Sequence, residues 1–241
     1  MKSEYILLDV NDGSKMRAYV VSPKTQAIGA VILLQEAYGV NGHIRKVAGR
    51  LTDLGYHVIA PELYHRVAPE FEGDYSNPEP SITLLKKLKD AELECDLKAA
   101  YDWLLPFNLP VAAMGFCMGG KVACLAAITL PLACGISFYG GGIAAGPNGP
   151  GLMERLPQLE VPMLFFWGGG DKAITGEQSH SVTLVLKAAN KKFVNVEFSE
   201  AEHAFFNDER ENYHPMSAEA AWGLTTVFLK QQMKIDGNKQ L

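Results

Sequence analysis

The stretch Gly115-Phe116-Cys117-Met118-Gly119 sets a cysteine between two glycines, where an apolar run (111–116) gives way to a helical pattern. Most free cysteines are small buried side chains. Here the order strand, tight turn, helix matches the elbow that raises a nucleophile above a sheet, with cysteine where serine is usual. Such a turn strains the backbone of its central residue, and glycines two positions to either side leave room for helix and strand to approach. The N-terminus of the following helix favours negative charge, on a thiolate or on an oxyanion bound by backbone N–H groups.

A nucleophile of this kind needs a base and an orienting acid, expected in the chain order nucleophile, acid, histidine. Asp171 closes "VPMLFFWGGGD", and His203 follows the strand pattern "FVNVEFS". Taken alone, Asp171 reads equally well as a turn residue or a helix N-cap. Of the six histidines, His203 is the one at a strand end with an acid upstream; His43, His57, His65, His180 and His214 have no such setting. Glu36, at the end of "AVILLQE", reads as a turn cap, as an arginine partner, or as a carboxylate beside the thiol. The loop after that strand is where elbow hydrolases keep a second oxyanion donor, which makes the N–H groups of Ala37 and Met118 the expected pair.

These groups meet only if several strands end side by side. "YILLDV" and "MRAYVV" read as two short strands joined at "NDGS". "AIGAVILLQ", "YHVIAPEL", "VAAMGF", "ACGISFYG" and "VPMLFFWG" are near-continuous apolar runs, the mark of strands buried on both faces of a parallel sheet, and "FVNVEFS" follows them. Helical spacing appears in "HIRKVAGRLTDLGY", in a long stretch from Ser81 to Leu105 with room for one break, in "KVACLAAITL", in "EQSHSVTLVLKAAN" and in "SAEAAWGLTTVFLKQQMK". The alternation predicts an α/β fold: a mostly parallel sheet of about eight strands with helices on both faces, in one domain spanning 1–241. Reactive groups in such sheets collect at the carboxyl ends of the strands. The irregular stretch 62–80 is long enough to suggest a functional loop.

Composition narrows the partners. Of 241 residues, 48% are hydrophobic and 20% charged, enough for a sizeable core. The formal net charge of -5, without a block of like charges, argues against nucleic acid, whose phosphates call for a concentrated basic surface. The start "MKSEYILLDVNDGSK" fits neither a signal peptide nor an anchor, and no segment approaches the roughly 20 apolar residues of a membrane span. A cytoplasmic location without membrane association is the expectation, with Cys95, Cys124 and Cys134 as packed thiols rather than disulfides. No spacing suggests a metal site.

With these pieces in view, the chain resembles the dienelactone hydrolases (carboxymethylenebutenolidases) of the α/β-hydrolase superfamily. The matching segments are "QEAYGVN" (35–41), "GYHVIAPELY" (55–64), "GFCMGG" (115–120), "WGGGD" (167–171) and "EHAFFN" (202–207), and the element order agrees along nearly the whole chain. The resemblance implies a triad of Cys117, His203 and Asp171, a thioester intermediate, and Glu36 as the carboxylate that helps deprotonate the thiol. It also implies no metal or organic cofactor, a small ester or lactone as substrate, and a monomer. A thioesterase or general carboxylesterase is the alternative on the same elbow, and a non-catalytic small-molecule sensor is a more distant one.

Dienelactone hydrolases hold the substrate carboxylate with arginines, one shortly after the histidine and one after the fourth strand. This sequence departs from that pattern: the position four after His203 is Asn207, and 70–90 offers Lys86, Lys87 and Lys89 but no arginine. Arg66 and Lys172 are candidate substitutes, each read first as a solvated surface charge. Tyr38, Tyr64, Phe205 and Phe206 are candidate pocket residues, with core packing as the competing reading, and Asn207 itself is a candidate substrate-binding residue.

Overall fold

The structure, a computed structural model, describes residues 1–145 and 149–233. Its frame is one eight-stranded sheet in the order β1-β2-β4-β3-β5-β6-β7-β8. β1 (Lys2–Asp9) and β2 (Lys15–Ser22) form an antiparallel hairpin, and β2 pairs antiparallel with β4 (Tyr56–Pro61). From β4 onward all neighbours are parallel: β3 (Gly29–Leu34), β5 (Val111–Phe116), β6 (Cys134–Phe138), β7 (Met163–Gly168) and β8 (Phe193–Phe198). Every residue of β3, β4, β5, β6 and β7 is buried, which is why these segments read as unbroken apolar runs rather than alternating ones.

The strand order reverses at β3. The chain steps one way through α1 (Gly42–Asp53) to β4, then the other way through α2 (Glu79–Leu85) and α3 (Asp90–Leu104) to β5. It continues in that second direction through α4 (Met118–Thr129) to β6 and through α5 (Gly176–Ala188) from β7 to β8. Right-handed crossovers therefore put α1 on one face and α3, α4 and α5 on the other. α6 (Pro215–Gln232) follows β8 and packs on β6 and β7. Such a reversal opens a crevice at the carboxyl ends of the strands.

The helical stretch from Ser81 splits at 86–89, with extended backbone at Lys89 (φ -121°, ψ 135°), and its first part starts earlier, at Glu79. Lys234, the last residue of the expected final helix, lies outside the described residues. Among the described residues no helix is long and apolar enough to cross a membrane.

Candidate active site

The register of β3 on β5 sets the first distance. Leu34 faces Gly115, so Glu36 and Cys117 each stand two residues past the same rung, at the reversal point. Cys117 occupies φ 54°, ψ -122°, a region costly for a residue with a side chain, of order 1–3 kcal/mol. Its N–H donates to the Phe138 carbonyl at 3.0 Å, and its own carbonyl accepts from Gly120 N–H at 2.9 Å, which hold the turn. Two glycines make this approach possible. A Cβ on Gly115 would run into the Gly119 carbonyl, and one on Gly119 into the carbonyls of Leu34 and Gln35. The thiol of Cys117 is half-buried, while Cys124 and Cys134 are buried within the fold.

Asp171 and His203 follow the adjacent ends of β7 and β8, where Gly168 faces Phe198. His203 Nδ1 lies 2.7 Å from Asp171 Oδ2. The other carboxylate oxygen accepts from the N–H groups of Ala173 (2.7 Å) and Ile174 (3.0 Å). Asp171 thus serves as a turn residue through one oxygen and as the histidine's partner through the other. With Nδ1–H directed at the carboxylate, Nε2 is the ring nitrogen left for another partner, and Cys117 is near enough for its charge to act on the ring. Burial disfavours charge on this ring. The charge of a thiolate at Cys117, then the hydrogen bond to Asp171 and its charge, outweigh it and push the His203 pKa up to about 10.

Glu36 is 2% exposed and has no cationic partner among the described residues, so the arginine-partner reading does not hold. Its Oε2 accepts from Asn207 Nδ2 at 3.0 Å, and its Oε1 from the Tyr139 hydroxyl at 3.5 Å. Gln35 braces the same turn: its amide donates to the Glu36 carbonyl (3.3 Å) and accepts from Leu63 N–H (3.0 Å). Met118 is the first residue of α4, where a helix leaves N–H groups without intrahelical partners, and Ala37 N–H has no backbone acceptor among the described residues. Both are open to an oxyanion.

Several expected binding residues lie elsewhere. Tyr64 is buried and donates its hydroxyl to the Ala37 carbonyl at 3.1 Å, so it shapes the loop of Ala37 instead of lining an open pocket. Phe205 is fully buried against Tyr139 and Phe198, and Phe206 packs on Phe116 and Phe138. Arg66 is corrected as a carboxylate clamp: its guanidinium forks onto Asp96 at 2.8 and 2.9 Å and reaches Asp12 at 2.6 Å, leaving little donor capacity for a ligand. Lys89 pairs with Glu92, and Lys172 is exposed. Tyr38 does border the site, feeling the charges of Glu36, Cys117 and Arg210.

Four neighbours of the site are not among the candidates named from the sequence: Tyr139, Tyr75, Asn41 and Arg210. Tyr139, at φ 38°, follows β6 immediately, so the strand-end rule could have found it; its ring meets His203 edge-on at 5.2 Å. Arg210 lies 5.5 Å over the rings of both Tyr38 and Tyr75 and has no carboxylate partner among the described residues. No group of three or more metal-ligating side chains occurs among the described residues.

Residues 16–233 match the model of the dienelactone hydrolase family. A protein of Escherichia coli K12 provisionally named carboxymethylenebutenolidase is 33% identical over 235 residues, covering 92% of this chain and 84% of that one. A similarly named protein of Synechocystis is 33% identical over 93% of this chain and 95% of its own. Among solved structures, a provisionally assigned dienelactone hydrolase from Klebsiella pneumoniae superposes with a TM-score of 0.85 at 29% identity, covering 95% of this chain and 98% of that one.

Proposed function

The chain belongs to the dienelactone hydrolase family of ester-bond hydrolases, with the α/β-hydrolase fold, and from that premise we propose that it opens an activated lactone or enol ester through a thioester on Cys117. The observation that carries the proposal is the pairing of a half-buried thiol, at a strained strand-to-helix turn, with a histidine ring held by a buried carboxylate at 2.7 Å.

In this reading Cys117 Sγ attacks the acyl carbon, and the developing oxyanion is taken by the N–H groups of Ala37 and Met118. Collapse of the tetrahedral adduct breaks the C–O bond and leaves an acyl thioester. A thiolate is itself a good leaving group, so an adduct with a simple alkyl ester reverts, whereas an enolate departs readily and carries the reaction forward. His203 then takes a proton from water, which attacks the thioester, and Asp171 steadies the resulting imidazolium. Glu36 is held by Asn207 and Tyr139 in the resting site and assists thiol deprotonation after leaving Asn207. Arg210 supplies, over Tyr38 and Tyr75, the arginine that the sequence has neither at 207 nor within 70–90.

Turnover of an enol-lactone, an aryl ester and an acyl thioester, measured on wild type and Cys117→Ala, tests the proposal. The expected result is preference for the lactone and loss of at least about a thousandfold in kcat/KM on substitution. Activity that survives the substitution would place the chemistry elsewhere, and preference for the thioester would favour the thioesterase reading.

A further inference from the structure

Tyr75 stands next to Glu36 in a hydrogen-bonding state that its neighbours dictate. Asn41 caps α1, and its Oδ1 accepts from Ile44 N–H at 3.2 Å. Asn207 Oδ1 accepts from Glu209 N–H at 3.0 Å. Both amide oxygens are committed to backbone donors, so both amide nitrogens must turn toward Tyr75, and each donates to its hydroxyl oxygen at 2.8 Å.

A hydroxyl has two acceptor sites and one hydrogen. With both acceptor sites filled, only the hydrogen is left, and among the described residues it is donated to no acceptor. Tyr139 differs, since its hydrogen goes to Glu36. The Tyr75 ring is fixed by Tyr38 at 4.5 Å and by Arg210 above it. Burial, with the charge of Glu36, pushes its pKa up to about 12, so the hydroxyl keeps its proton at neutral pH.

We propose that Tyr75 is a specificity-determining residue whose hydroxyl donates a hydrogen bond to a substrate oxygen outside the scissile ester. The inference rests on Cys117 and His203 being the reacting groups, since the same Asn207 nitrogen bonds both Glu36 and Tyr75. The substrate class that follows is an ester or lactone whose acyl part carries a second acceptor oxygen. A bare methylene there leaves the donor unpaired, the mismatch that discriminates most strongly between close analogues.

The test uses para-nitrophenyl hexanoate and its mono-oxo analogues, in which one methylene becomes a carbonyl. Intrinsic reactivity cancels when wild type and Tyr75→Phe are compared by the ratio of oxo to parent kcat/KM. That ratio is expected to fall about tenfold or more for at least one oxo position. An effect transmitted only through Glu36 would slow all the esters alike and leave the ratio unchanged, which would overturn the proposal. Calorimetric binding of the corresponding unreactive amides to wild type needs no turnover: tighter binding of an oxo amide supports the donor, and equal binding of all of them overturns it. Cys117→Ala run in parallel separates the two claims, because persistent ester turnover there would count against the Cys117 reading while the amide titration still judges Tyr75.

Discussion

At His203, burial works against a charged ring; once Cys117 is deprotonated, the sulfur's charge, with the hydrogen bond to Asp171, prevails over it. In the proposed mechanism, acylation converts that sulfur to a neutral thioester and removes the strongest of the opposing influences. Burial then draws the ring's pKa down, so that a base becomes available at neutral pH when water must be activated. Alkylating Cys117 with iodoacetamide makes the same change without substrate. Histidine nitrogen NMR should show the His203 pKa falling from about 10 toward the ordinary value of about 6.5; titration unchanged by alkylation would break the proposed coupling. Cys117, Asp171 and His203 were legible because each follows an apolar strand pattern in a known order. The network around Tyr75 was not, since its hydrogen bonds to Asn41 and Asn207 join positions far apart in the chain that share no period. Arg66 looked free because Asp12 and Asp96, which bind it, come from distant segments.

Among the elements, the closeness of α4 to β3 depends on Gly119, where a side chain would strike the carbonyls of Leu34 and Gln35. Gly119→Ala forces the helix start, and Met118 N–H with it, away from Ala37. The expected cost is about 1–3 kcal/mol of unfolding free energy in urea titration, together with a lower kcat. A variant with wild-type stability and turnover would show that the close approach is unnecessary. Strands β3 to β7 were readable as unbroken apolar runs because parallel sheets bury both faces. The break at 86–89 was harder to locate, since lysines suit a helix and no glycine or proline marks it. Tyr139 was counted within its strand pattern, whereas its positive φ ends β6 and turns the ring toward His203.

Across the whole molecule, one sheet carries the loops after β3, β4, β5, β6, β7 and β8 that meet at the site, and we propose that the chain is one domain. Scanning calorimetry should then give a single transition with equal calorimetric and van't Hoff enthalpies, and two resolved transitions would contradict it. The net charge of -5 gives no general pull on anionic substrates, so in the proposed function any such attraction rests on Arg210, over Tyr38 and Tyr75. The strand reversal at β3 brings Glu36 and Cys117 to one crevice, and the order of β7 and β8 brings Asp171 to His203. The most direct measurement is rapid acid quenching during turnover of an activated aryl ester, followed by intact-mass analysis and peptide mapping. A mass increase equal to one acyl group, confined to the peptide containing Cys117 and absent from Cys117→Ala, is the expected result. Steady turnover by Cys117→Ala, or an acyl group mapped to another residue, would contradict the account.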